Sequence, residues 1–319
     1  MKTTIEYTLC HGSANRFVMV DAVAQEGDCR NADFAAWATG LCAASTPIGG
    51  ADGLLMVVRC GDGYAMRMFN PDGSEAEMCG NGIRCAARQA RQYAGGGREF
   101  VMWSGGRPYR ITHDTPVYEG VETYGVEIPV SLTSRDFGFA DGAEFVGRSI
   151  ARLDERLRFT ALNLGNPHIT ACVGNIDHEV LTHLGERVKE LREEFPNGVN
   201  VSLFQPMGPQ CIFVATYERG AGITASCGTA MTASATAAAL LGVAEFGTEI
   251  EVRNRGGAVR CLPRRRTDGG LVTRLTGNAT FVGEGTFVTD GSSVEDICPV
   301  RTFDDENAAY AAFVESIRS

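Results

Sequence analysis

Two stretches of this 319-residue chain repeat one another. Phe69-Asn70-Pro71-Asp72-Gly73 leads to Cys79-Gly80, and Tyr217-Glu218-Arg219-Gly220 leads to Cys227-Gly228, with the same spacing from aromatic residue to cysteine. An internal repeat constrains a fold more than local propensity does, because each copy must work as one supersecondary unit in two places. Each Cys-Gly opens an apolar, Ala-rich segment, so each cysteine stands at a helix start. The repeat reaches further back. His11-Gly12-Ser13-Ala14-Asn15 runs into apolar 18–20, and Asn163-Leu164-Gly165-Asn166-Pro167-His168 runs into 169–173. Helices are expected after each, over 31–44 with Asn31 as N-cap and over 177–194. Strands are expected at 64–69 and 211–217, just before the cysteine segments.

The pattern predicts an α+β chain of two pseudo-symmetric domains joined near 125–135. The expected division is 1–128, completed by 276–319, and 129–275. After Cys79 the helix places Ile83, Ala86, Ala87 and Ala90 on one face and Arg84, Arg88 and Arg91 opposite, with 95–97 ending it. After Cys227 the helix over 229–241 is apolar nearly all round and is expected to be buried, enclosed by a sheet. The tail over 304–317 reads as an amphipathic packing helix with Tyr310, Phe313, Val314 and Ile317 in its stripe.

Composition excludes some chemistries. A net charge of −10 disfavours nucleic acid, which needs a basic face, while leaving room for a small anionic substrate held by one arginine. No apolar run reaches the length of a membrane span, and the amino terminus reads as a strand without a signal-peptide core. A cytoplasmic location is therefore expected. Eleven cysteines without CxxC pairs suggest neither a disulfide scaffold nor a metal cluster. Cys42, Cys60, Cys172 and Cys211 read as small buried hydrophobes, and Cys85 as helix packing. Lysine occurs only as Lys2 and Lys189, one terminal and one on a charged helix surface, so a Schiff base to pyridoxal phosphate is disfavoured.

A cysteine at a helix N-terminus meets free backbone N–H groups that lower its pKa and can also hold a carboxylate. Taken alone, either cysteine reads first as structural; the matched contexts reverse that reading. Two such thiols can remove a proton from one face of a carbon and return one to the other. His168 alone also reads as a turn histidine, and Glu218-Arg219 as a surface ion pair. His178 and His183 read as solvated.

The segments His11-Gly12…Asn15, Asn70-x-Asp72-Gly73-Ser74-Glu75…Cys79-Gly80-Asn81-Gly82-x-Arg84-Cys85, Gly165-Asn166-Pro167-His168, Phe195-Pro196…Asn200-Val201 and Glu218-Arg219-Gly220…Thr224…Cys227-Gly228-Thr229 resemble diaminopimelate epimerase, in family order from residue 11 to about 290. The resemblance implies two α/β domains, each a curved mixed sheet wrapped around a central helix, with the active site between them. It implies Cys79 and Cys227 as acid–base residues of a cofactor-independent epimerisation of LL- and meso-2,6-diaminopimelate. Backbone amides of Gly80, Asn81, Gly228 and Thr229 would hold the α-carboxylate. Asn15, Asn70, Asn166, Asn200, Glu218 and Arg219 would bind substrate, with Arg219 on the distal carboxylate. His168 and Glu218 would sit beside the thiols and assist them. No cofactor, metal, nucleic acid or membrane is implied; the partner is a small amino acid, with a homodimer as the assembly to test for. Three departures stand out: the turn Gly12-Ser13-Ala14-Asn15-Arg16 where the family usually has Gly-x-Gly-Asn-Asp, Ile223 where Glu is common, and Ala230 where it has Gly. Arg16 is expected to be re-paired with an acid or directed to solvent. The alternative is a racemase of another amino acid, such as histidine, on the same scaffold; a thiol redox or metal protein is the reading from a different class.

Overall fold

Residues near the amino terminus alternate between buried and exposed, as a strand packed on one face requires. In the computed structural model, which describes residues 2–133, 136–139 and 143–317, that strand is β1 (Thr3–Gly12). It is followed by β2 (Asn15–Asp21), α1 (Glu26–Cys29), α2 (Phe34–Leu41), β3 (Gly53–Cys60), β4 (Gly63–Phe69), β5 (Glu75–Ala76), α3 (Gly80–Ala90), β6 (Glu99–Ser104), β7 (Arg107–His113) and β8 (Thr123–Val130). Next come β9 (Arg148–Ile150), β10 (Asp154–Asn163), β11 (Pro167–Cys172), α4 (His178–Glu190), β12 (Asn200–Gly208), β13 (Cys211–Glu218), β14 (Gly222–Thr224), α5 (Gly228–Leu240), β15 (Ile250–Asn254), β16 (Gly257–Arg265) and β17 (Leu271–Asn278). The chain ends with β18 (Thr280–Thr289), β19 (Glu295–Thr302) and α6 (Asp304–Ser316). Two units emerge: Met1–Val126 with Gly277–Ser319, and Glu127–Thr276. Ser134 and Arg135, within the expected joining segment, lie outside the described residues.

Both units use one pairing scheme. In the first, β2 pairs antiparallel with β1 and parallel with β3; β4 pairs antiparallel with β3 and β5 and parallel with β6. In the second, β11 pairs antiparallel with β10 and parallel with β12; β13 pairs antiparallel with β12 and β14 and parallel with β15. A parallel step needs a crossover, which α2 and α4 supply. The first unit adds β18 and β19 beyond β1, and the second adds β9 beside β10.

The helix boundaries differ from expectation where carboxylates compete for the cap. Asp33, rather than Asn31, caps α2, accepting the Ala36 N–H at 3.0 Å, so the helix begins at Phe34. It stops at Leu41. Asp177 caps α4 through the N–H groups of Glu179 at 2.8 Å and Val180 at 3.3 Å, and the helix ends at Glu190. α3 ends at Ala90, ahead of the glycines at 95–97.

Each unit wraps its strands around a central helix. α3 packs against β1, β2, β3 and β4, with Ile83, Cys85, Ala86, Ala87 and Ala90 fully buried. Arg84, opposite that face, is fully buried as well, its guanidinium bonded to Ser13, Gly80 and Asn278. α5 packs against β10–β13, β15 and β16 and is buried along almost its whole length. Two of its hydroxyls donate within the helix, Thr232 Oγ1 to Gly228 O and Thr236 Oγ1 to Thr232 O, both at 2.8 Å, and Ser234 pairs with Thr170 of β11. α6 buries Tyr310 and Phe313 against the first unit, and its Glu306 pairs bidentately with Arg88 at 2.6 and 2.7 Å. Of the cysteines read as buried, Cys42 is; Cys172 and Cys211 are partly buried, and Cys60 is exposed because it ends β3 at a hairpin. No helix among the described residues is long and apolar enough to cross a membrane.

Two positions expose the local physics. The β1–β2 hairpin closes on Ser13 and Ala14, both left-handed at φ 53° and 62°. That is a two-residue primed turn, which favours Gly or Asn. We expect Ala14→Gly to stabilise the protein by about 0.5–1 kcal/mol in urea denaturation, the relief of left-handed strain outweighing glycine's extra chain entropy. Gly185 lies mid-helix in α4, where a Cβ would sit 2.1 Å from the Tyr217 ring. Gly185→Ala should therefore lower stability by about 1–3 kcal/mol despite alanine's helix propensity, and an unchanged midpoint would contradict that packing.

Candidate active site

In the first unit the hairpin turn presents Asn15 to the start of α3. Cys79 is the N-cap of that helix, with extended backbone (φ −135°, ψ 110°), and its sulfur accepts the Gly82 N–H at 3.3 Å. Cys79 Sγ lies 3.9 Å from Asn15 Oδ1, which also accepts from Asn81 Nδ2 at 3.3 Å. The orientation of Asn15 is set from behind: its Nδ2 donates to Asp52 Oδ2 at 2.8 Å, and the same oxygen accepts the Arg16 N–H at 2.7 Å. Gly12 allows the hairpin to press against the helix, since a Cβ there would meet Asn81 O at 2.8 Å. Asn70 sits in the turn after β4, its Nδ2 donating to Ser74 Oγ at 2.9 Å. Arg16 takes neither expected course: its guanidinium donates to the Ile48 carbonyl at 2.8 Å.

The second unit repeats this with different chemistry. Cys227 is the N-cap of α5 with almost the same backbone (φ −129°, ψ 111°). Its sulfur lies 3.5 Å from Thr229 Oγ1, which also receives Asn166 Nδ2 at 3.3 Å. His168 is fully buried; its Nε2 lies 3.0 Å from Asn166 Oδ1 and 3.1 Å from Thr229 Oγ1. Burial, reinforced by the Arg219 charge, lowers its pKa to about 3, so it is a neutral imidazole near pH 7. Its link to Cys227 runs through the Thr229 hydroxyl. The Thr224 hydroxyl donates to Glu218, which also interacts with Cys227. Burial and the Glu218 charge push the Cys227 thiol well above its ordinary pKa, correcting the expectation that a helix start lowers it.

β11 and β12 set His168 beside Asn200, whose Oδ1 accepts the Arg219 N–H at 2.8 Å. The Arg219 guanidinium donates to the Asn197 carbonyl, and its stem passes over Gly198, where a Cβ would approach Arg219 Cδ to 2.7 Å. The backbone N–H groups of Gly80 and Asn81 open α3, and those of Gly228 and Thr229 open α5. At such positions an N–H has no intrahelical acceptor, and a helix start of this kind suits an anion. Thus Asn15, Asn70, Cys79, Gly80 and Asn81 belong to one unit, and Asn166, His168, Asn200, Glu218, Arg219, Cys227, Gly228 and Thr229 to the other.

Sequence reasoning missed Asp52 and Arg84. Asp52 is legible only once β2 and β3 are paired, which brings it beside Arg16. Among the described residues no group of three or more His, Cys, Asp and Glu side chains is placed to hold a metal ion.

Comparison with known proteins places this arrangement. The family model described as diaminopimelate epimerase matches residues 7–124 and 160–282, one segment in each half. A diaminopimelate epimerase of Clostridium acetobutylicum is 34% identical over 314 residues, covering 97% of this chain and 93% of its own. One of Enterococcus faecalis is 36% identical over 282 residues, covering 85% of each. Among solved structures, a predicted epimerase from Pseudomonas aeruginosa aligns with a TM-score of 0.59 at 15% identity, covering 88% of this chain and 98% of that one. A phenazine biosynthesis protein of the PhzF family from Bacillus anthracis aligns at 0.58 and 17%, covering 89% and 99%; at these identities both speak to the fold alone. With its two matched halves and near full-length relatives, the chain belongs to the diaminopimelate epimerase family.

Proposed function

We propose that this chain interconverts LL- and meso-2,6-diaminopimelate by moving the α-proton between two sulfurs, without pyridoxal phosphate. The observation that carries this reading is the matched pair of cysteine N-caps, whose backbone angles agree within a few degrees in two units of one topology. The lysines add support: Lys2 is tied to Glu295, and Lys189 to Glu186 and Tyr217.

The halves differ in the way a two-base reaction needs. Cys79 accepts a helix N–H, which favours its thiolate, whereas Glu218 and burial hold Cys227 as a thiol. One direction then begins with the Cys79 thiolate taking the α-proton and Cys227 delivering its own to the opposite face. The reverse direction begins from the exchanged state, and Glu218 assists the return of a proton to Cys227. The main difficulty is the charge that develops on the α-carboxylate as the proton leaves. Backbone N–H groups of Gly80, Asn81, Gly228 and Thr229 would stabilise it without reorganising. Asn15, Asn70, Asn166 and Asn200 would bind the substrate's polar groups, and Arg219 its distal carboxylate, as a planar fork suits. His168, held neutral, would orient Thr229 and Asn166 without taking up or releasing a proton itself.

Such a reaction serves lysine and peptidoglycan precursor synthesis, which fits a cytoplasmic enzyme; a homodimer is part of the same reading. The Arg16 guanidinium, turned to the Ile48 carbonyl, gives no support to a changed substrate.

Proton NMR in D₂O with LL-diaminopimelate and no added cofactor tests the mechanism. We expect the α-proton signal to disappear as the meso isomer forms, with loss of at least about 10³-fold in Cys79→Ser and in Cys227→Ser. Exchange that survives in both variants would refute the two-sulfur mechanism. Arg219→Lys should raise KM about tenfold or more with a smaller change in kcat, because a point charge replaces a bidentate fork remote from the reacting carbon. An unchanged KM would remove Arg219 from the distal site.

A further inference from the structure

The search outside the proposed machinery led to Arg84, a fully buried cation one turn into α3. Burying a guanidinium is costly unless its donors are used, so its position calls for a reason. Its Nη1 donates to Gly80 O at 2.9 Å, fixing the Gly80–Asn81 peptide whose N–H belongs to the anion cradle. Its Nη2 donates to Ser13 Oγ at 3.1 Å, in the turn that presents Asn15, and its Nε donates to Asn278 O at 3.1 Å. Asn278 reinforces the same turn, Oδ1 accepting the Ser13 N–H at 2.7 Å and Nδ2 donating to His11 O at 3.1 Å.

We propose that Arg84 is a positioning residue for Cys79: it locks the first turn of α3 to the Asn15 hairpin, and its buried charge favours the thiolate there. This rests on the reading of Cys79 as a proton-transfer group.

Other titratable and charged groups lie around the same hairpin and helix start. Arg88, one turn further along α3, is matched bidentately by Glu306 from α6. His11, on β1, has its pKa lowered to about 4 by burial and by Arg84 and Arg16, so it adds no charge near pH 7. Asp52, before β3, is engaged by Asn15 and the Arg16 backbone, and the Arg16 guanidinium faces Ile48 O. Burial raises the pKa values of Tyr310 on α6 and Cys10 on β1, which keeps both protonated and neutral.

Site-resolved alkylation tests the proposal. The protein is treated with the neutral reagent iodoacetamide at pH 7, and labelling of the Cys79 and Cys227 peptides is followed by mass spectrometry in the same sample. We expect Arg84→Gln to slow Cys79 labelling about five- to tenfold relative to Cys227, as loss of up to one pKa unit of thiolate stabilisation requires. Arg84→Lys, which keeps the charge, should recover most of that rate. Ser13→Asp provides a second variant, because aspartate tolerates φ near +53° and would neutralise Arg84 while still accepting its hydrogen bond. It should slow Cys79 labelling similarly. A purely structural role predicts the opposite sign, since a loosened helix start exposes the thiol and speeds labelling. Unchanged or faster Cys79 labelling in Ser13→Asp, or in Arg84→Gln, overturns the proposal. Turnover of LL-diaminopimelate by the unsubstituted enzyme is measured alongside: its absence would refute the epimerase reading, while the labelling ratio still decides the role of Arg84.

Discussion

The structure depends on one constraint, that a polar helix end must be brought into a sheet-enclosed interior with its first N–H groups outside the helix's own ladder, so that the capping cysteine becomes a partner. Burying a helix along its length is favourable when its faces are small and apolar, as in α5, or when its one large polar group is fully bonded, as in α3. The first turn is the exception, because its amides have no intrahelical acceptor. In each unit the cysteine, its neighbouring asparagine and the following side chain are gathered at that turn. A place that would be a defect in an ordinary core here holds a capping thiol.

How close the surrounding chain comes is set by residues without side chains. Gly12 lets the first hairpin touch Asn81, and Gly185 lets α4 rest on Tyr217, the residue before Glu218. Each gives up helix or strand stability locally for an approach that a methyl group would block. The tail belongs to the same logic: through Glu306 and Arg88 it braces the back of α3.

Much of this was legible in the sequence because a repeat carries information that a single segment does not. The Phe69-to-Cys79 and Tyr217-to-Cys227 segments matched in spacing, and the structure matches them in strand, turn and cap. The buried helix after Cys227 and the strands at 64–69 and 211–217 followed from pattern alone. What failed depended on neighbours distant in sequence. The helix period puts Arg84 opposite the apolar face but does not reveal its burial, because a period shows which residues share a side, not whether the other side is covered. The raised Cys227 pKa was hidden for a similar reason: a helix start lowers it, but burial beside Glu218 outweighs that effect. The sequence reading names Asn31 as the cap, whereas the Ala36 N–H is taken by Asp33, so the helix starts two residues later.

The repeat is most informative where it breaks. Asn70 and Glu218 occupy the same place after the aromatic residue, and each is held by a hydroxyl further along, Ser74 in one case and Thr224 in the other. Asn81 and Thr229 correspond likewise, and the contact to Asn15 or Asn166 survives with donor and acceptor reversed. Burial and the Glu218 charge raise the Cys227 pKa, while the equivalent place in the other unit holds a neutral amide, Asn70. Duplication thus supplies the matched geometry of the two caps, and a few unmatched side chains give the two cysteines different surroundings.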